Sequence, residues 1–166
     1  MASNPVLELM TSADELARAF DATHSQTLGP LQTLVELLGV APDSLESDEP
    51  TPALETCLSA LRDGLDRMEA CVSQMMQLLY HVDVFLAQPK VQGVSGMDPQ
   101  EALGHVSELF HTYQSELFTR REALGDLTCL EIGPQDFAQK WSSMAEVQRG
   151  RKQTMDDLAD LLAGLG

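Results

Sequence analysis

The clearest pattern in the chain is a series of apolar residues that recur in alternating steps of four and three. The series is Leu54, Leu58, Leu61, Leu65, Met68, Val72, Met75, Leu79, Val82 and Leu86. This heptad spacing indicates one α-helix, about 50 Å long at 1.5 Å per residue. Thr51 can cap the helix and Pro52 suits its first turn, so the pattern predicts a helix over about 53–87.

The apolar stripe of this helix is broader than a two-stranded coiled coil requires. Further apolar residues flank the heptad positions on both sides: Cys57, Met76, Cys71, Leu78 and Phe85. Two neighbouring helices cover such a stripe better than one. Because we count only one other long helix, we expect another chain to cover part of the stripe.

The other long helix begins at a strong start signal. Asp98, Pro99 and Glu101 combine a cap, a first-turn proline and a glutamate in the first turn, which predicts a helix over about 99–128. The two helices form a long hairpin over 53–128. Further C-terminal helices are expected within 134–166, the first of them over about 135–148.

The N-terminal part of the sequence predicts shorter elements. Residues 1–40 form a helical segment that starts at a Ser12–Glu15 capping box and is divided at Gly29-Pro30. Residues 41–52 contain three prolines and four acids, which indicates an exposed acidic linker. The predicted fold is therefore all-α, an elongated bundle of three to four helices around a long heptad-bearing central helix.

Charge restricts the possible partners. The formal net charge is −16, from 26 acidic and 10 basic residues. A negative surface repels phosphate, so we expect no direct nucleic acid ligand and no membrane ligand. The most apolar stretch, 75–87, is too short and too polar to span a bilayer, and the charged residues within 1–30 lead us to expect no secretory signal there. The chain is expected to be soluble, in the nucleus and/or the cytoplasm.

Residues that could carry chemistry are sparse. The nucleotide-binding, serine-hydrolase and zinc-protease motifs are missing, and the four histidines contain no i+3 or i+4 pair that could grip a metal. Cys57 and Cys71 lie fourteen residues apart on one predicted helix, about 21 Å, too far for a disulfide. We expect no enzyme activity, no catalytic residues, no cofactor, no metal site and no small-molecule substrate.

Three features leave two interpretations open. Arg120 occupies a position where an apolar residue was due, so it either extends to water or meets an acidic group on a partner. The LxxLL strings at 34–38 and 158–162 are either core spacing, favoured for the first, or docking motifs. Thr51, before Pro52, is either a helix cap or a phosphorylation site.

Part of the second long helix resembles a known family. Val106-Ser107, the run from Tyr113 to Arg121, and Leu127 are similar to the C-terminal part of the cyclin-dependent kinase 2-interacting protein family. The order of elements over about 54–162 is similar too. The resemblance implies binding to cell-cycle kinase complexes and genome-maintenance factors. It also implies an assembly with helical partners and AAA ATPases in ribosome maturation.

The sequence thus predicts a hetero-oligomeric adaptor whose partners are other, helical protein chains. The predicted interface residues are Leu65, Val72, Met76, Leu79, Phe85, Phe110, Tyr113, Glu116, Leu117, Arg120, Arg121, Leu158, Leu161 and Leu162. The main alternative is a homodimeric coiled-coil component of a cytoskeletal or kinetochore type. A ligand-carrying four-helix bundle is a weaker option, because it needs polar groups converging inside the core.

Overall fold

The computed structural model describes residues 5–86 and 99–148, and all regular structure within them is helical. The helices are α1 (Pro5–Val40), α2 (Pro52–Leu86), α3 (Pro99–Thr128) and α4 (Pro134–Ser142), and a short 3₁₀ turn at Pro42–Leu45 follows α1. The predicted all-α helical bundle is confirmed. None of the described helices combines the length and the apolar character needed to cross a membrane.

The boundaries of the two long helices follow their start signals. The Leu54 N–H donates to the Thr51 hydroxyl at 3.3 Å, so Thr51 caps α2 as predicted. The observed bounds of α2 and α3 lie within about a residue of the predicted 53–87 and 99–128, the ordinary uncertainty at helix ends.

The N-terminal segment differs from the prediction, because α1 is a single helix of 36 residues with Pro30 inside it. Both the predicted start at Ser12 and the predicted break at Gly29-Pro30 are wrong. An internal proline costs about 3 kcal/mol, whereas burying one leucine side chain contributes about 1.5–3 kcal/mol. Leu31, Leu34 and Leu38 are all nearly completely buried just beyond the proline, so their packing outweighs its cost.

The continuous α1 changes how the stripe of α2 is covered. Every stripe position from Leu54 to Met75 is buried by the chain itself: Leu54, Cys57, Leu58, Leu61, Leu65, Met68, Cys71, Val72 and Met75. The expected cover by another chain is therefore wrong over 54–75. α2 has two long neighbours, α1 and α3, instead of the one that the sequence predicts.

Side-chain contacts fix the directions of the three long helices. Asp14, Asp21 and His24 of α1 meet His105, Tyr113 and Arg120 of α3 in the same order, so α1 and α3 run parallel. Between α1 and α2, Gln26 meets Arg67 and Thr27 lies against Gly64. A parallel α2 with Arg67 beside Gln26 would begin near residue 11 of α1, about 43 Å from the end of α1 at Val40. Residues 41–51, four of them in the 3₁₀ turn, reach about 37 Å at most, so α2 is antiparallel to both α1 and α3.

The C-terminal part of the bundle also departs from the prediction. A helix was expected over about 135–148, but α4 ends at Ser142, and a further helical turn occupies 145–148. Ser143 has an extended backbone (φ −70°, ψ 129°), and its carbonyl accepts a hydrogen bond from Arg120 at 2.8 Å. The break in the helix therefore leaves the Ser143 carbonyl free to accept this hydrogen bond from the buried Arg120 side chain of α3.

Candidate functional site: a buried ion pair and an exposed helix edge

Arg120 forms the centre of a buried polar cluster. Its side chain is fully buried, and one terminal nitrogen, Nη1, donates to the Glu116 carbonyl at 2.9 Å and to the Glu116 carboxylate at 2.7 Å. The other, Nη2, donates to the Ser143 carbonyl and to the Met144 sulfur, both at 2.8 Å. Of the five N–H donors of the guanidinium, only Nε–H lacks an acceptor. Arg120 is fully buried and meets an acidic group of its own chain, so both sequence-based interpretations of it are wrong.

Glu116 uses its second carboxylate oxygen to hold the C-terminal segment. Oε1 accepts the backbone N–H groups of Glu146 at 2.8 Å and Val147 at 3.2 Å. These N–H groups belong to the first turn of the helical stretch that begins at Ala145, where no carbonyl within the helix can satisfy them. A carboxylate of α3 thus caps that turn, at the end of a helix where negative charge is favourable.

A second chain of hydrogen bonds joins α1 to α4. The Trp141 indole N–H donates to the Thr27 hydroxyl at 2.9 Å, and that hydroxyl donates to the His24 carbonyl at 2.6 Å. His24 Nε2 lies 2.9 Å from the Trp141 carbonyl and 3.0 Å from Arg120 Nη2. Because Ser143 and Met144 use both Nη2 hydrogens, Nε2–H is assigned as the donor to Trp141.

The cluster is built to hold helices together. It connects α1, α3, α4 and the segment 143–147, and its three titratable side chains, Glu116, Arg120 and His24, are at most 5% exposed. Such enclosure keeps a substrate away from these groups. Within the described ranges no three His, Cys, Asp or Glu residues converge as a metal site requires.

Burial lowers the pKa of His24 below its ordinary value of 6.5, and the neighbouring Arg120 cation lowers it further. The hydrogen bond to the Trp141 carbonyl and the charges of Glu116 and Asp21 act in the opposite direction, with a smaller total effect. His24 is therefore neutral in the folded chain at neutral pH.

This pKa shift predicts acid sensitivity. In the unfolded chain His24 binds a proton near pH 6.5, whereas the folded chain resists protonation. Below that pH the unfolded state binds more protons, so the free energy of unfolding should fall, by at most about 1.4 kcal/mol per pH unit. Urea unfolding at pH 7.5 and pH 5.5 measures the loss. His24→Gln should reduce the difference between the two pH values, and an unchanged difference in that variant would contradict the assignment.

The structure buries seven of the fourteen predicted interface residues inside the bundle. The buried members are Leu65, Val72, Phe110, Tyr113, Glu116, Leu117 and Arg120, and their assignment to a partner-facing surface is therefore corrected. Their heptad spacing marks the face that packs within the chain. Phe85 lies where no side chain is described, and Leu158, Leu161 and Leu162 lie outside the described residues.

The remaining predicted residues differ in exposure. Leu79 is half-buried against the core, and Met76 is 55% exposed. Arg121 is partly exposed and forms an ion pair with Glu69 of α2. The first LxxLL string is confirmed as core, because Leu34 and Leu38 are buried. The second string lies outside the described residues.

Two exposed aromatic residues were not predicted. Tyr80 on α2 is 69% exposed and Phe118 on α3 is 54% exposed. We call Met76, Tyr80 and Phe118 the α2–α3 edge. A usable signal existed in the sequence, because residues 70–82 contain no Asp, Glu, Lys or Arg although the chain is strongly acidic.

The cysteines offer no site. Cys57 and Cys71 are free and buried, and burial raises the pKa of both thiols, which keeps them protonated and unreactive. Cys129 is free and exposed. The prediction that Cys57 and Cys71 do not bridge each other is confirmed.

Comparison with known proteins adds no relative: no family model, curated protein or solved structure matches this chain.

Proposed function

We propose that this protein is a non-enzymatic adaptor or scaffold subunit of a protein complex, and that it acts through helix–helix packing. The observation that carries the proposal is the α2–α3 edge, where Met76, Tyr80 and Phe118 are each more than half exposed. Large apolar side chains grouped on one surface often mark a protein-binding site, because covering them removes apolar area from water.

The character of the buried cluster supports a role without catalysis. Glu116, Arg120 and His24 bond one another or the backbone, and their burial leaves them out of contact with solvent. Catalytic acids and bases must reach a substrate within hydrogen-bond distance. The cluster instead gives the bundle a defined packing arrangement on which an exposed surface can be presented.

The resemblance to the cyclin-dependent kinase 2-interacting protein family supports the choice of pathway. We place the adaptor in cell-cycle, genome-maintenance or ribosome-maturation assemblies of the nucleus or cytoplasm on that basis. Tyr113, Glu116 and Leu117, which carry much of the resemblance, are buried. The likeness therefore concerns how α3 packs, and the partner surface is assigned to the α2–α3 edge instead.

The alternative of a homodimeric coiled coil is less well supported. It requires the heptad positions of α2 to face a second copy, whereas Leu58, Leu65 and Val72 are buried within the chain. To form such a dimer, the bundle would first have to open and expose its core.

The proposal predicts a stoichiometric partner that depends on the edge. The tagged chain is isolated from its own cells, and the mass of the complex is measured by size-exclusion chromatography with light scattering. The variant M76S/Y80S/F118S should lose the partner, whereas L7S/V40S/L130S, which removes three exposed apolar side chains elsewhere, should keep it. A chain that always elutes as a monomer without a partner would overturn the adaptor function.

A further inference from the structure

The Glu69–Arg121 ion pair sets the register between α2 and α3 along the exposed edge. Met76 lies seven residues after Glu69, and Tyr80 lies one further turn along, so both project on the same side of α2. Phe118 lies one turn before Arg121 on α3. Because the helices are antiparallel, Phe118, Met76 and Tyr80 follow one another over about 12 Å on one side of the helix pair.

Two stretches without charged residues lie side by side along α2 and α3. Residues 70–82 of α2 and 109–115 of α3 contain no Asp, Glu, Lys or Arg. Moving seven residues from the ion pair along each helix brings Met76, at the middle of the first stretch, level with Gln114 inside the second. A chain with a net charge of −16 thus carries a surface free of charged residues.

This composition matches the centre of a protein interface. Interface centres are depleted of charged residues and enriched in methionine and aromatic residues. Charged residues return around this surface, and four of them are exposed acids: Asp66, Glu69, Glu108 and Glu122. Glu69 and Arg121 pair and offset each other's charge, and the rim keeps three further exposed acids, Asp66, Glu108 and Glu122, so it is acidic.

We propose that the α2–α3 edge binds an amphipathic helix whose apolar face carries basic residues along its flanks. Apolar anchors cover Met76, Tyr80 and Phe118, and Lys or Arg residues meet the acidic rim. The length of the edge, about 12 Å, corresponds to about two turns of the bound helix. A second copy of this chain is a poor occupant, because two copies would each bring a net charge of −16 and acidic rims to the interface.

The inference rests on the proposed adaptor function and names the chemistry of the partner. Charge attraction alone would draw a basic peptide to any part of an acidic protein. The test must therefore separate binding at the edge from attraction by the whole molecule, and both peptides and variants are needed for that.

The experiment uses the full chain and two labelled synthetic helical peptides. One has a leucine face flanked by lysines, and the other has the same leucines flanked by glutamates. Fluorescence anisotropy in about 0.15 M salt, where long-range attraction is screened, measures both dissociation constants. We expect binding of the lysine peptide to the wild type, and binding about tenfold or more weaker to M76S/Y80S/F118S.

The control variant L7S/V40S/L130S has the same net charge and should bind the lysine peptide like the wild type. Equal binding of the lysine peptide to both variants, equal binding of the glutamate peptide, or no binding of the lysine peptide would each overturn the inference. Circular dichroism confirms that both variants are folded.

Sedimentation velocity tests whether a second copy of this chain occupies the α2–α3 edge. Self-association of the wild type that disappears only in M76S/Y80S/F118S would assign the edge to a second copy and overturn the inference. The adaptor function has its own test in the isolated complex. A stoichiometric partner that survives M76S/Y80S/F118S would disprove this site while leaving the adaptor function standing.

Discussion

Replacing Glu116 with alanine is expected to lower the free energy of unfolding by about 3–5 kcal/mol. The substitution leaves the Arg120 guanidinium buried without its counter-charge, which is among the most destabilising changes available in a protein interior. It also removes the acceptor of the Glu146 and Val147 N–H groups. Urea unfolding followed by the fluorescence of Trp141, the single tryptophan, measures the loss.

Two controls make this expectation specific to the buried pair. Glu122→Ala removes an exposed glutamate from the same helix and should change stability by no more than about 0.5 kcal/mol. E116L/R120M replaces both charges with apolar side chains and should recover about half of the loss or more. If E116L/R120M is as unstable as Glu116→Ala, the unpaired charge is not the cause.

Replacing Gly64 with alanine is expected to destabilise the chain by about 1–3 kcal/mol. Alanine favours a helix over glycine by about 1 kcal/mol, but at this position its Cβ would overlap the Thr27 methyl group. Thr27 cannot rotate away freely, since its hydroxyl donates to the His24 carbonyl and accepts from the Trp141 indole. The measurement is the midpoint and slope of urea unfolding.

Replacing glycine with alanine should stabilise the chain at a position where no side chain lies close to the new Cβ. Gly125→Ala on α3 meets nothing within 4 Å and should stabilise the chain by about 0.5–1 kcal/mol. Thr27→Ser removes the methyl group and keeps the hydroxyl. In that background Gly64→Ala should be neutral or stabilising, and a continuing loss would show that contact with Thr27 is not the reason.

Heptad spacing and capping residues predicted α2, α3 and the all-α fold because those signals are local. Pro30 misled the prediction for the opposite reason: the burial of Leu31, Leu34 and Leu38 is a tertiary effect that outweighs a local penalty. The same error led to the expectation of a partner over 54–75. With α1 divided into short pieces, α3 is the one long helix left to cover the stripe of α2.

The candidate site was less predictable than the fold. Arg120 and Glu116 stand one turn apart on α3, a spacing that allows an ion pair, but only tertiary packing buries both. Their other partners, His24, Ser143 and Val147, are distant in sequence. The absence of charge over 70–82 was visible in the sequence, whereas its alignment with 109–115 required the Glu69–Arg121 register.

Site-specific photocrosslinking in the isolated complex shows whether a partner chain covers the α2–α3 edge. A benzophenone amino acid is placed at Tyr80 in one sample and at Val40, which is 88% exposed, in another. We expect a crosslink to the stoichiometric partner from position 80 and none from position 40. Crosslinking from position 40 with none from position 80 would show that the partner binds elsewhere.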